Sequence, residues 1–284
     1  MATKTYITMI DDRIREYLLP RQFNAAVRAG AAIMKIYKHS DDYLISMKSD
    51  HTPITIADRM AHDTIKDALG STRIPILSEE GREMLYDERR NWELFWLVDP
   101  LDGTVEFIKG NNEFTVNIAL MENNRCISSV VYVPYHKKIY IAEQGRGAWV
   151  MLNVEPTADA DYDYEAIHGN MQRLPPATTR HDNFRVAVSR SHQTDETHTH
   201  IATLRKEHPD LEIVEQGSSY KFCLLAEGVV DYYIRTTTTS EWDTAAGELI
   251  LAEAGGTTYA YPTGEELAYN KEVLDNPWFV ARRQ

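Results

Sequence analysis

Apolar residues recur at three- and four-residue steps over 22–37, through Phe23, Ala26, Val27, Gly30, Ile33, Met34 and Tyr37. That spacing predicts a helix with one core-facing stripe. A second helix is expected from Asp58, with Met60, Ala61, Ile65 and Leu69 inward and Gly70 as its stop. Leu94 to Val98 is a short unbroken apolar run, the pattern of a strand buried on both faces, and it stops at Asp99-Pro100. Short runs over 115–120, 128–133, 138–142 and 148–151 follow, punctuated by Asn123-Asn124 and Gly145-Arg146-Gly147. Their rhythm predicts an antiparallel meander. The stretch 153–182 is acidic, contains Pro156, Pro175 and Pro176, and shows little periodicity, so it is expected to be a connection. Beyond it, strands are expected over 185–189, 212–215, 229–235 and 278–281, and helices over 194–207, 218–227 and 244–254. This alternation predicts an α/β half over 183–284, after an α+β half over 1–152.

Composition narrows the function. The chain has 284 residues and a formal net charge of −13, which disfavours a broad electrostatic grip on a nucleic acid polymer or an anionic membrane. Cys126 and Cys223 stand far apart without a zinc-type spacing, which suggests neither a disulfide framework nor a zinc site and fits a reducing, cytoplasmic setting. The first twenty residues mix Lys4, Asp11, Asp12, Arg13, Arg15 and Glu16 with apolar ones, so neither a signal peptide nor a membrane span is expected.

Chemistry is expected where charge gathers at the end of an apolar strand. Asp99-Pro100-Leu101-Asp102-Gly103-Thr104 is such a place. Two carboxylates so close repel each other, and hard divalent cations relieve that repulsion. Asp99, Asp102 and the Leu101 carbonyl therefore make a partial shell for magnesium. Gly103-Thr104 then opens a helical turn over 105–108, whose free N–H groups suit a phosphate. Asp-Pro and Asp-Gly are also ordinary turn formers. Ser78-Glu79-Glu80 is a second apolar run ending in acid, and Asp243 stands at the mouth of a helix, where it could equally be a plain cap.

Four segments together resemble the inositol monophosphatase superfamily: Thr52 to Asp58, Ser78-Glu79-Glu80, Trp96 to Thr104, and Trp242-Asp243-Thr244-Ala245-Ala246-Gly247. Ser189-Arg190-Ser191-His192 and Gly217 to Cys223 resemble segments of its CysQ-type 3'(2'),5'-bisphosphate nucleotidase branch. The resemblance implies a layered αβαβα sandwich and a lithium-sensitive phosphomonoesterase using two or three Mg2+ ions. It implies metal ligands at Glu79, Asp99, the Leu101 carbonyl, Asp102 and Asp243, and water activation by Thr104 with Asp58 beside the metal on Glu79. It further implies that Gly217, Ser218, Lys221, Arg235 and His192 bind the phosphate that is not cleaved and the ribose, with residues 101–104 and Asp243 around the phosphate that is. The expected substrate is adenosine 3',5'-bisphosphate, with its sulfated analogue as a second one, and the expected state is a monomer or homodimer.

Alternatives stay open from the residues alone. Lys221, Arg235 and His192 each have an ordinary structural account. Tyr220, Trp149 and Tyr233 could stack on a base or pack in the core, and the tract Thr236 to Thr239 could alter base recognition. The sibling readings are inositol monophosphatase and sugar bisphosphatase, and a remote one is a non-catalytic nucleotide or metal binder.

Overall fold

The computed structural model describes residues 12–38, 46–47, 53–176 and 181–283, so the readings of 1–11 and of Thr52 lie outside the described residues. The described residues open with α1 (Asp12–Tyr37). This helix starts ten residues before the periodicity suggests and runs through Pro20. The reason is burial: Leu18 and Leu19 are 4% and 1% exposed and join Phe23 in one core, which offsets the lost backbone bond of the proline. A short antiparallel ribbon, β1 (Ser46–Met47) with β2 (Pro53–Ile54), precedes α2 (Ile56–Gly70).

Seven strands then make the larger sheet: β3 (Ile76–Ser78), β4 (Leu94–Asp102), β5 (Thr115–Glu122), β6 (Arg125–Val133), β7 (Lys138–Glu143), β8 (Gly147–Met151) and β9 (Gln172–Leu174). They lie in chain order, with β3 parallel to β4 and every later neighbour antiparallel. The helices α3 (Tyr86–Arg89), α4 (Thr104–Lys109) and α5 (Tyr164–Gly169) fall between them. Along β4, Trp96 and Val98 face the core under α1 and α2, whereas Phe95 and Leu97 face the opposite core. Strand alternation thus buries both faces of one apolar run. Asn123 and Asn124 turn β5 into β6 with φ of +48° and +62°, the left-handed pair that a tight hairpin needs.

The described part of the expected connection over 153–182 does not stand apart. Val154, Ala160 and Ile167 are buried in the first core, Arg28 donates to Ala160 O, and β9 pairs with β8. Long-range docking orders it, and no local periodicity signals that. The five-stranded sheet follows, built from β10 (Arg185–Ser189), β11 (Glu212–Gln216), β12 (Tyr232–Arg235), β13 (Thr257–Ala260) and β14 (Phe279–Arg282) in the order β11-β10-β12-β14-β13. Its β10 pairs are parallel, and those of β14 are antiparallel. The helix α6 (Asp195–Glu207) covers its outer face through Ile201. Between the two sheets lie α7 (Tyr220–Glu227) and α8 (Glu241–Glu253), packed into a core that takes side chains from both. The result is an αβαβα sandwich, and no helix among the described residues is long and apolar enough to cross a membrane.

Candidate active site

A cleft of about 400 Å3 opens between the sheets. One wall comes from strand ends. Glu79 follows β3, its N–H bonding Val98 O at 3.1 Å, and thereby stands beside the end of β4. There the β4–β5 register breaks between Asp99 and Asp102, which turns Asp99, Leu101 and Asp102 into the cleft. Gly103 then adopts φ +90°, and a Cβ on it would lie 3.0 Å from Glu113 O, so only glycine fits. From the C-terminal half, Asp243 sits in the first turn of α8, its Oδ2 accepting from Ser240 N at 2.8 Å.

Glu79, Asp99 and Asp243 offer carboxylate oxygens within 4.8 Å of one another. Burial pushes the Asp99 carboxyl well up, and the Glu79, Asp102 and Asp243 charges add to it. Asp243 is raised in the same way, by burial first and then by Asp102 and Glu79. An all-oxygen set under such repulsion fits a hard divalent cation, so these three residues can hold one. Asp102 stands outside the trio. Its Oδ2 accepts from Ser219 N and, at 3.5 Å, from Asn117 Nδ2. Burial raises it as well, with Lys221 the main opposing influence.

Behind this wall lies a hydroxyl–carboxylate pair. Thr104 Oγ1 donates towards Asp58 Oδ1 at 3.0 Å and contacts Leu101 O at 3.2 Å. Asp58 is the third residue of α2, and its Oδ2 accepts from Thr55 N at 2.7 Å and Thr55 Oγ1 at 2.6 Å. Burial raises the Asp58 carboxyl, and the Thr55 hydrogen bonds hold it back.

The opposite wall carries the cations. Gly217, Ser218, Lys221, Arg235 and His192 all line the cleft with Gly103 and Thr104. Lys221 is 1% exposed, and its Nζ donates to Gln216 O at 3.0 Å and Ser218 O at 2.6 Å, pinning the loop before α7. Burial, with Arg235 nearby, lowers its ammonium to about 7. Burial and Arg235 also lower His192, whose Nδ1 meets Ser189 Oγ at 3.4 Å. Every residue expected at the site therefore lies in the cleft or, for Asp58, directly behind Thr104.

Local contacts bear on the alternatives left open. Thr236 is spent on α6, its Oγ1 meeting Thr197 Oγ1 at 2.5 Å and Thr194 Oγ1 at 2.8 Å, although Thr239 reaches the cleft. Trp149 sits under Arg173 and beside His168, and Tyr220 stacks on His136. Tyr233 lines the cleft with its ring wedged against Phe222 and Phe279. Sequence reasoning also missed the supports. Glu113 accepts from Gly217 N at 2.8 Å and from Arg190 at 2.8 and 2.7 Å, Ser219 Oγ donates to Asn117 at 2.7 Å, and Glu106 lines the inner wall. Of these, only Arg190 and Ser219, inside the two segments that resemble the CysQ-type branch, carried any signal.

A model of the inositol monophosphatase family matches residues 15–278. The 3'(2'),5'-bisphosphate nucleotidase CysQ of Salmonella typhimurium is 38% identical over 265 residues, 92% of this chain and 98% of its own length. Its namesake in Haemophilus influenzae is 32% identical over 94% of this chain and 93% of itself. The crystal structure of CysQ from Bacteroides thetaiotaomicron superposes with a TM-score of 0.86 at 44% identity, covering 94% and 97% of the two chains. A suhB protein of Bartonella henselae, 24% identical with a TM-score of 0.73 over 94% of each chain, shares the fold. The chain belongs to the inositol monophosphatase family, alongside the CysQ nucleotidases that it matches along nearly its whole length.

Proposed function

We propose that this enzyme is a magnesium-dependent phosphomonoesterase that removes the 3'-phosphate of adenosine 3',5'-bisphosphate, giving AMP and phosphate. The observation that carries the reading is one cleft with two unlike walls. The carboxylates Glu79, Asp99 and Asp243 face Lys221, Arg235, His192 and Ser218 across it. A substrate with a single phosphate needs the first wall, and one with two phosphates uses both. The names of the full-length relatives support the same substrate class.

Mg2+, two or three ions in this reading, would supply a lowered water pKa and positive charge for the departing ribose oxygen. The chain's own residues do the rest. Glu79, Asp99, Asp102, Asp243 and the Leu101 carbonyl would hold the ions. Thr104 Oγ1 orients the attacking water, and Asp58, raised by burial, takes up its proton through that hydroxyl. Oxygen attacks phosphorus in line, the P–O3' bond breaks, and the ribose oxygen gains a proton from solvent. The N–H groups opening α4 after Gly103 face the cleaved phosphate. Ser218, Lys221, Arg235 and His192 hold the other phosphate and the ribose, the lowered Lys221 regaining full charge against that anion.

Lithium is expected to inhibit by replacing one Mg2+, and the sulfated analogue of the nucleotide is a second substrate of this site. The two free cysteines fit a reducing cytoplasm. The test is phosphate release from adenosine 3',5'-bisphosphate and inositol 1-phosphate side by side, with and without magnesium. A magnesium-dependent preference for the nucleotide supports the proposal. Preference for inositol phosphate keeps the acidic site and returns Lys221, Arg235 and His192 to structural roles.

A further inference from the structure

The inner wall of the cleft holds a carboxylate that the chemistry above leaves unused. Glu106 lies in the first turn of α4, is 3% exposed and lines the cleft. Its Oε1 is buried and has no hydrogen-bond partner among the described residues. Three of the donors around the cleft bond elsewhere, and neither His192 nor the unpartnered Arg235 Nε donates to it. Lys221 Nζ serves Gln216 O and Ser218 O, Arg190 serves Glu113 and Glu215, and Gly217 N serves Glu113. Gly217 also packs so tightly over Glu106 that a Cβ there would lie 2.5 Å from Glu106 Cγ, which fixes the side chain in place.

Lys221, Arg190 and His192 interact with Glu106 electrostatically without hydrogen-bonding it, so the buried acid is tolerated while its Oε1 still lacks a donor. Leaving a buried acceptor unpaired is costly, and more so for a charged one. A phosphate cannot fill the vacancy, because both groups are anionic acceptors. A neutral N–H or O–H can.

We propose that Glu106 is a specificity-determining residue that accepts a hydrogen bond from a neutral donor on the nucleoside part of the substrate, a ribose hydroxyl or the exocyclic amine. This rests on the bisphosphate nucleotidase reading. It explains a carboxylate in a wall otherwise set for anions: the cations recognise the charged end, and Glu106 recognises the uncharged one. A site built this way rejects an analogue lacking the donor, since the acceptor is then buried unpaired.

The test is a substrate–enzyme cycle. Steady-state kinetics of the unmutated enzyme, Glu106→Ala and Glu106→Gln are compared on adenosine 3',5'-bisphosphate, its 2'-deoxy analogue and the purine riboside analogue without the amine. For the unmutated enzyme, one analogue should lose at least about tenfold in kcat/KM, mostly through KM. Glu106→Ala should lose the same factor on the parent substrate and nothing further on that analogue, with Glu106→Gln, which keeps an acceptor, in between. The analogue that fails to add its loss identifies the donor. Full additivity for both analogues overturns the proposal, as does an unmutated enzyme indifferent to both. A large fall in melting temperature shared by both variants assigns Glu106 to the fold and overturns it too. Failure of the underlying reading shows earlier and differently, as preference of the unmutated enzyme for inositol 1-phosphate.

Discussion

Asp58 and Asp243 occupy matching places in the two halves. Each is the third residue of its helix and accepts a hydrogen bond from the backbone N–H of a Thr or Ser cap, Thr55 for α2 and Ser240 for α8. Their surroundings then diverge. Asp58 is filled with hydroxyl donors, from Thr55 and from Thr104. Asp243 faces the carboxylates of Glu79 and Asp99 instead. One capping device thus places one carboxylate among hydroxyl donors and another among carboxylates. The cap sets position, and the neighbours set the chemistry.

The largest break in this comparison is Asp243→Asn, which keeps the capping acceptor and removes the charge. Phosphatase activity should fall by at least about a thousandfold, an electrostatic loss of roughly 4 kcal/mol. Calorimetric magnesium titration should show weakened binding while the metal-free protein stays folded. A variant that unfolds would mean that the cap, not the charge, dominates. On the other side, Thr104→Ala should lower kcat about a hundredfold, with nucleotide affinity measured by calorimetry changed by less than about threefold. Equal losses in both would erase the distinction drawn for Asp58.

Sharper and smaller is Glu113→Gln. It weakens the latch from Arg190 to the Gly217 loop and leaves both acids untouched, so KM for the nucleotide should rise about three- to tenfold at constant kcat. The last contrast uses the far side of α8, where Glu248 is raised to about 7 by burial. A carboxyl with a raised folded pKa is protonated in the native protein where the unfolded chain has already ionised. Its contribution is therefore present below about pH 4.5 and lost as pH rises towards 7. Glu248→Gln should flatten denaturation stability over that window and stabilise the protein at pH 8 by on the order of 1–3 kcal/mol. An unchanged slope would assign the pH dependence to the other buried acids with raised carboxyls, Asp58, Asp99, Asp102, Glu143 and Asp243.

Much of the site was legible because its chemistry sits on local signals. Asp99 ends an unmistakable apolar run, and Asp58 and Asp243 each follow a capping residue by three positions. The larger sheet and the helical layer on its outer face were legible through the periodicity of β4 to β8 and α2. What stayed hidden depends on partners distant in the chain. Ser219 meets Asp102 across 117 positions, and Gly217 meets Glu113 across 104. Glu106 read as one more acid in a short helix, because its burial comes from a loop more than a hundred residues away. The segment 153–174 lacked periodicity for the same reason, since its order derives from α1 and β8. Pro20 masked the start of α1, where burial of Leu18 and Leu19 prevails over propensity.

The position of α8 carries one more consequence. It belongs to the C-terminal half by sequence, yet it packs against β4 to β8 of the larger sheet, inside a core fed by both sheets. Opening the cleft by swinging one half from the other would strip that core of its packing, far more than a binding event can repay. Specificity in this enzyme therefore resides in a standing shape, a lock cut before the key arrives, and Asp243 reaches its fellow acids only in the intact chain.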